Sequence, residues 1–170
     1  MVGTIEIGEG FAGEGTDAAH VNTVLGAREG PVGAAFATAL ATPSAGHVPF
    51  LVVARPGLAL KPATLFVNKA ALAGDVHARL TWGAAQAGVA AGVGDALRAG
   101  SIDPAQVDAL VLIAAIWVDP RAGDEARVHA NNREATRAAL AAGRLRAPAL
   151  ADVLEATLRP WNPFFAPRRA

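Results

Sequence analysis

Four glycines fall close together near the N-terminus, at positions 8, 10, 13 and 15. Glycine reaches backbone conformations that other residues rarely adopt, so the acidic stretch GEGFAGEG predicts a glycine-broken loop. The residues HVNTVL that follow have the β-branched, alternating character of a half-buried strand. Side chains two apart in a strand point the same way, so His20 and Asn22 are predicted to share one face. A titratable group at the end of a loop and the start of a rigid strand is a common way to build a site.

The rest of the chain alternates apolar strand-like runs with helical patterns. Further strands are predicted over Met1–Ile7, in VPFLVVA (48–54), in the first half of ATLFVNKAAL (63–72) and in LVLIAAIWV (110–118), the most buried of them. Helices are predicted from Pro31 to about Thr42, from Asp75 to Ala99, briefly after Asp103, and last from Asp124 to Ala142, with Gly143 ending it. Four or five strands with two long helices predict an α/β sandwich.

The domain organisation follows from the absence of a dividing linker. Residues 1–170 are predicted to form a single domain. The final segment, RPWNPFFAPRRA (159–170), has too many prolines for a helix but contains three aromatic residues. We expect it to lie as a C-terminal strap over this subunit or over a neighbouring one.

Composition restricts the classes of function. Charged residues make up 18% of the chain and hydrophobic ones 52%, against a usual charged share of about 25%, which favours an oligomer with covered apolar surface. Fifteen basic and 15 acidic residues cancel, so the chain lacks the positive surface that nucleic acid requires. The absence of cysteine excludes disulfides, thiolate metal sites and thiol nucleophiles.

The N-terminal residues have no basic region followed by an apolar stretch, and the longest apolar run, 109–118, is shorter than the roughly 20 residues of a membrane span. We therefore expect a cytoplasmic protein without a membrane partner. The glycine stretch lacks a lysine-serine pair and a following helix, which argues against phosphate binding. The acidic residues Glu9, Glu14 and Asp17 lack the alternation of a calcium loop, so no metal site is predicted. Of the other histidines, His47 and His77 are predicted in surface turns.

Four separated blocks, in the same order, resemble the formaldehyde-activating enzyme family: GEGFAGEGTDAAHVNTVLG, KPATLFVNK, WGAAQAGVAAGVGDAL and NNREATRAALAAG. The resemblance implies condensation of formaldehyde with tetrahydromethanopterin, a co-substrate and not a tightly bound cofactor, to the methylene derivative and water. It also implies a two-layer α/β sandwich resembling the second domain of ribosomal protein S5, assembled into a homopentamer with sites between subunits.

The resemblance assigns roles to particular residues. It implies that His20 is the general acid and that Leu51, Lys69 and Gln86 contact the pterin. Two further contact positions differ from the family pattern, because Asn22 stands where aspartate is usual and Ala71 where threonine is usual. The sequence is therefore interpreted as a divergent member or a paralogue.

A histidine suits this chemistry. Formaldehyde and an amine give a carbinolamine, whose hydroxyl must be protonated before it leaves, and an ordinary histidine pKa of about 6.5 fits a proton donor near neutrality. Asn22 keeps an acceptor but loses the charge of aspartate, so weaker pterin binding or an acid-shifted rate profile is expected. Lys69 either anchors a polar ring edge, forms an adduct with formaldehyde, or is a solvated strand-end lysine.

Simpler interpretations stand beside these. His20 is alternatively a packed strand residue, Gln86 a local hydrogen-bonding residue and Leu51 a core residue. The leading hypothesis is the lyase. Its alternative is a non-catalytic paralogue that binds a pterin or a formaldehyde adduct as a sensor, carrier or regulator, and a third possibility is an enzyme for another amine or aldehyde.

Overall fold

A five-stranded sheet organises residues 5–162 and 165–167, which the computed structural model describes. The strands in chain order are β1 (Glu6–Ala12), β2 (Ala19–Ala27), β3 (Phe50–Leu51), β4 (Val53–Arg55), β5 (Leu58–Ala59), β6 (Ala63–Asn68) and β7 (Leu110–Trp117). The large sheet has the order β1-β2-β7-β6-β3, with β6 and β7 parallel and the other neighbours antiparallel. Strands β4 and β5 form a separate small hairpin.

The helices are α1 (Pro31–Ala41), α2 (Gly74–Arg79), α3 (Gln86–Arg98), α4 (Glu125–Leu145) and α5 (Leu150–Ala156). A π-helical turn over Leu80–Ala85 joins α2 to α3. Helix α4 packs on β1, β2 and α3, so helices and sheet form two layers around an apolar core. The predicted α/β class is confirmed. The prediction that 110–118 is the most buried strand was wrong: β7 lies at the centre of the sheet, but four of its eight residues are buried, against four of six in β6. Among the described residues, no helix has the length and apolar character needed to span a membrane.

The glycine stretch is mostly strand and not loop, so that prediction was wrong in part. Gly8 and Gly10 lie inside β1, where an added Cβ would overlap the carbonyl oxygens of Ala139 and Ala135 on α4. These glycines are needed because the backbone of α4 lies directly against β1. Gly13 and Gly15 do have the positive φ angles of a turn, 81° and 66°.

Helix α4 differs from the prediction at its C-terminal end. Asp124 caps its first turn by accepting a 3.0 Å hydrogen bond from the Arg127 amide. The helix does not stop at Gly143, which is buried against the backbone of Ile7 and Gly8. It ends at Leu145, and the next residue, Arg146, is left-handed with φ of 54°. It is also not the last helix, because α5 follows. Gly143 allows α4 to contact the backbone of β1, and the sequence alone does not distinguish such a glycine from one that ends a helix.

The segment 48–54 was predicted as one strand buried on both faces, which was wrong. It divides into β3, at the edge of the large sheet, and β4 in the small hairpin. Between them Val52 is fully buried and bonds on two sides, donating to the Thr64 carbonyl at 2.9 Å and accepting from the Leu60 amide at 3.2 Å. Leu51 is 41% exposed, because its side chain lies at an edge strand.

The second face of the sheet is only partly covered. Gly26 shares this face with His20 by strand alternation, and a Cβ at Gly26 would meet the Val32 side chain, which places α1 over that end. At the other end of this face Phe11, the register partner of His20, is 48% exposed. This uncovered end is where His20 lies.

The C-terminal strap is described only in part. Trp161 and Phe165 are 74% and 59% exposed, so the described aromatics are not buried against this chain. Residues 163, 164 and 168–170 of that predicted strap, and residues 1–4 of the predicted first strand, lie outside the described residues.

The close approach of α4 to β1 yields a stability prediction. Gly10→Ala would force the helix away from the strand and should lower the free energy of unfolding by about 3 kcal/mol, measured by urea denaturation. Gly123→Ala, where an added Cβ meets nothing within 4 Å, is the matched control and should change it by less than about 0.5 kcal/mol. Equal stability of the two variants would contradict this packing.

Candidate active site

His20 is held at the centre of the sheet's open end. It pairs with Phe11 of β1 on one side and with Trp117 of β7 on the other. The hairpin register brings Glu9 diagonally beside it, and His20 Nε2 lies 3.1 Å from Glu9 Oε1. The imidazole is 40% exposed, so it is fixed by its neighbours and still accessible from solvent.

Lys69 reaches the same place from two strands away. It directly follows β6, and its amide donates to the Ile116 carbonyl at 2.8 Å, which extends the parallel ladder by one residue. Its Nζ donates to Asn22 Oδ1 at 2.8 Å and lies 3.3 Å from His20 Nδ1. Ala115 of β7 is the register partner of Asn22 and also of Val67, and its small side chain leaves room for the lysine to cross β7.

These four residues, Glu9, His20, Asn22 and Lys69, form what we call the histidine cluster. The contacts assign one neutral tautomer of His20, with the proton on Nε2 facing Glu9 and the lone pair of Nδ1 facing Lys69. In this arrangement the imidazole connects a carboxylate with an ammonium group. A proton can therefore pass between Lys69 and His20 without rearrangement of the backbone.

The cluster shifts the pKa values of both basic groups. Burial, followed by the charge of Lys69, lowers the pKa of His20, and Glu9 opposes these effects. Burial lowers the pKa of Lys69 from 10.5 to about 8, again opposed by Glu9. Both groups thus lose protons more readily than usual, so the amine is partly neutral near physiological pH.

Hydrogen bonds behind the cluster hold Lys69 in place. The side-chain amide of the preceding residue, Asn68, is buried and donates to the carbonyls of Gly46 and Ala70, at 2.7 and 2.8 Å. His47 Nδ1 donates to the Asn68 carbonyl at 2.9 Å. His47 is partly buried and acts as a support for this strand end, which modifies the prediction of a surface turn.

The connection before β2 is fixed by Asp17. Its Oδ1 accepts hydrogen bonds from the amides of Gly123 and Asp124, at 2.9 and 3.0 Å. The Gly123 amide in particular lowers the pKa of the Asp17 carboxyl. This acidic residue, considered as a cation ligand from sequence, instead joins the turn that leads to His20 to the start of α4.

A second feature lies at the β3 edge. An apolar groove of about 410 Å³ is lined by six residues: Val48, Phe50, Leu51, Val53, Trp82 and Gln86. Gln86 is largely buried, and its Oε1 accepts a 2.7 Å hydrogen bond from the Val53 amide, which fixes the orientation of the side-chain amide. An apolar groove with one oriented amide suits a planar heterocycle with polar edges.

The predicted site residues therefore occupy three places. His20, Asn22 and Lys69 come together in the cluster, while Leu51 and Gln86 line the groove. Ala71 lies apart from both: its Cβ is near Gly46, in the turn that precedes β3. Within one chain, three of the six predicted residues meet in the cluster, two line the groove, and Ala71 belongs to neither.

The environment of one other histidine was predicted wrongly. His77 is 1% exposed, not on the surface: its Nδ1 accepts from the Ala73 amide and its Nε2 donates to the Val118 carbonyl, both at 3.0 Å. It was misread because the sequence around it is polar, whereas α2 places it under the end of β7. Both ring nitrogens are used, so His77 is structural.

Two contributors were missed in the sequence. Glu9 was considered only as a cation ligand. If β1 and β2 are assumed to form a hairpin with Phe11 opposite His20, strand alternation places Glu9, two residues before Phe11, on the same face as His20. Trp82 was not singled out as a site residue, and its 50% exposure in the π-helical turn is what makes it a groove residue. Among the described residues, no three His, Asp or Glu side chains are grouped as metal ligands.

Comparison with known proteins agrees with the resemblance. The family described as formaldehyde-activating enzyme (Fae) matches residues 7–165. The protein named Bifunctional enzyme Fae/Hps of Methanococcoides burtonii is 44% identical over 134 residues, covering 79% of this chain and 34% of that protein. Its namesake in Archaeoglobus fulgidus is 38% identical over 158 residues, covering 93% of this chain and 40% of that protein. The chain thus spans less than half the length of these relatives.

The charges around His20 predict how its pKa responds to substitution. Lys69→Met and Asn22→Asp should each raise the pKa of His20, since the first removes a cation and the second adds a carboxylate. Glu9→Gln should lower it. NMR titration of the imidazole resonances, with His20→Gln to assign the signal, measures all three; a pKa that does not respond to any of them would contradict the cluster.

Proposed function

The chain belongs to the formaldehyde-activating enzyme family, and from that membership we propose that it condenses formaldehyde with a reduced pterin, tetrahydromethanopterin, to 5,10-methylene-tetrahydromethanopterin and water. The observation that carries this proposal is His20 between Glu9 and Lys69, a proton donor held on rigid strands at an accessible surface. This is the chemistry that the slow step of the condensation requires.

His20 acts on the carbinolamine that forms when a pterin nitrogen adds to formaldehyde. Protonated His20 donates to the carbinolamine hydroxyl, water leaves, and the second pterin nitrogen attacks the resulting iminium carbon. Glu9 stabilises the imidazolium, and the neighbouring Lys69 promotes release of its proton. The lowered pKa of His20 means that its protonated fraction, and with it the rate, declines as the pH rises through that value.

The groove at the β3 edge is the proposed binding place of the pterin ring. Trp82 and Leu51 offer apolar surface, and Gln86 offers a fixed amide for the polar edge of the ring. Lys69 and Asn22 would contact the end of the pterin nearest the reacting carbon. Formaldehyde and the pterin act as substrates, with no tightly bound cofactor.

We propose that the complete site lies between subunits of a homopentamer. The groove is at the β3 edge of the sheet and the cluster is on β2 and the end of β6, so a groove from one chain and a cluster from its neighbour would build one site. The exposed Phe11 beside His20, and the exposed Trp161, supply surface for such contacts. The C-terminal strap would then lie over a neighbour, in a cytoplasmic protein.

The second candidate is a non-catalytic paralogue that binds a pterin or formaldehyde adduct as a sensor, carrier or regulator. Asn22 favours it, because this position lacks the carboxylate charge, and so does Ala71, which lacks a hydroxyl. The retained His20, with its two ionisable neighbours, favours the enzyme.

Steady-state rates distinguish the two. The purified protein should accelerate methylene-tetrahydromethanopterin formation over the spontaneous reaction, and His20→Gln should reduce that acceleration by about 100-fold or more through loss of the acid. His129→Gln, on α4 at the opposite side of the sheet, is the control and should retain the rate. No acceleration by the folded protein, together with tight pterin binding, would establish the paralogue instead.

A site shared between subunits predicts complementation. Chains with His20→Gln and chains with Leu51→Glu should each be inactive alone. Co-expressed in equal amounts, they should form mixed oligomers in which about one quarter of the sites combine an intact cluster with an intact groove. Activity regained to that level supports a shared site. If no activity is regained, the cluster and the groove of one site belong to the same chain.

A further inference from the structure

We propose that Lys69 is a second catalytic residue, whose ε-amino group captures formaldehyde as a covalent adduct and transfers its carbon to the pterin. This inference rests on the proposed function for its substrate. Its geometric basis is independent: Nζ is directed into the open end of the sheet by Asn22, 2.8 Å away, and lies 3.3 Å from a proton acceptor, His20 Nδ1.

The surroundings of Lys69 favour a neutral amine. The groups that face it are His20 and Asn22 from β2 and, farther away, Glu9 from β1. Its hydrogen-bond partners are an amide oxygen and an imidazole nitrogen, and the carboxylate of Glu9 is engaged by His20. Burial lowers the pKa of Lys69 to about 8, so about one tenth of the amine is neutral at pH 7.

His20 prepares the amine. Its Nδ1 lone pair faces the ammonium group and can take one proton, leaving a nucleophilic lone pair on Nζ and an imidazolium stabilised by Glu9. The same imidazolium is then positioned to return the proton at the next step. One histidine thus serves as base and then as acid.

The reaction balances without any further reagent. The neutral amine attacks formaldehyde, forming a carbon-nitrogen bond, and one Nζ proton moves to the oxygen to give a carbinolamine. His20 protonates the hydroxyl, the carbon-oxygen bond breaks, and water leaves a methylene iminium on Lys69. The secondary amine N5 of the pterin attacks that carbon, a proton passes from N5 to Nζ, and the lysine-carbon bond breaks. N10 then closes the ring with loss of the proton.

Asn22 is the residue that permits this role. An aspartate at this position would place a carboxylate against Nζ and hold Lys69 as the ammonium form. The amide oxygen of Asn22 orients the amine to the same place without adding a charge. With asparagine at this position Lys69 can therefore act as a nucleophile and not only as a cationic anchor.

The chain contains an internal control for this proposal, because its two lysines are Lys61 and Lys69. Lys61 is exposed and bonded to Asp108 at 2.7 Å, so its partner is a carboxylate, whereas Lys69 is paired with an amide oxygen and an imidazole nitrogen. A brief treatment with isotopically labelled formaldehyde and cyanoborohydride at pH 7 converts each imine to a stable methyl-lysine. Peptide mass spectrometry then gives the rate at each lysine.

Lys69 should be methylated at least about ten times faster than Lys61, because burial lowers the pKa of Lys69 to about 8, whereas Lys61 is exposed and paired with a carboxylate. Asn22→Asp should slow labelling of Lys69 and leave that of Lys61 unchanged, and Lys61→Arg should not alter the rate at Lys69. Equal rates at the two lysines, or no response to Asn22→Asp, would overturn the inference. The treatment contains no pterin, so labelling of Lys69 without turnover would refute the proposed function alone, and turnover without labelling would refute this inference alone.

Discussion

The direct contact between β1 and α4 is the constraint on which the rest of the structure depends. Because Gly8 and Gly10 have no side chains, the helix backbone lies against the strand and fixes the position of the β1–β2 hairpin. The register of that hairpin puts Glu9 diagonally beside His20. Residues that bear no chemistry themselves therefore set the carboxylate-imidazole distance on which the proposed acid depends.

Electrostatics on the opposite face of the sheet complete the site. Two basic groups are partly buried within 3.3 Å of each other, and one carboxylate on the far side of the imidazole compensates them in part. Such a group of mutually perturbed titrating residues is characteristic of catalytic sites more than of structural ion pairs. Asn22 holds Lys69 through a hydrogen bond but carries no negative charge that would favour the ammonium form. In this account Asn22 adjusts the chemistry of Lys69 and leaves the acid His20 in place.

Pattern and spacing predicted the α/β class and the 110–118 strand, because those features depend on local periodicity. Strand β1 was not predicted over the glycine stretch, because sequence pattern alone does not distinguish a glycine in a strand against a helix backbone from a glycine in a turn. The division of 48–54 into two strands was not predicted, because it depends on tertiary pairing: one half pairs with β6 and the other with β5. His20, Asn22 and Lys69 were identified as site residues from the sequence. Their contact with one another was not predicted, because Lys69 follows His20 by 49 residues and Asn22 by 47.

The central claim is that formaldehyde carbon is bound and activated at the histidine cluster. A crystal structure of the protein with methylene-tetrahydromethanopterin tests it most directly, because the product's one-carbon bridge marks the place of reaction. The account predicts that bridge within about 4 Å of the His20 imidazole, near Lys69 Nζ, with the pterin ring against Trp82 of a neighbouring chain. A product bound elsewhere, with its bridge out of reach of His20, would contradict it.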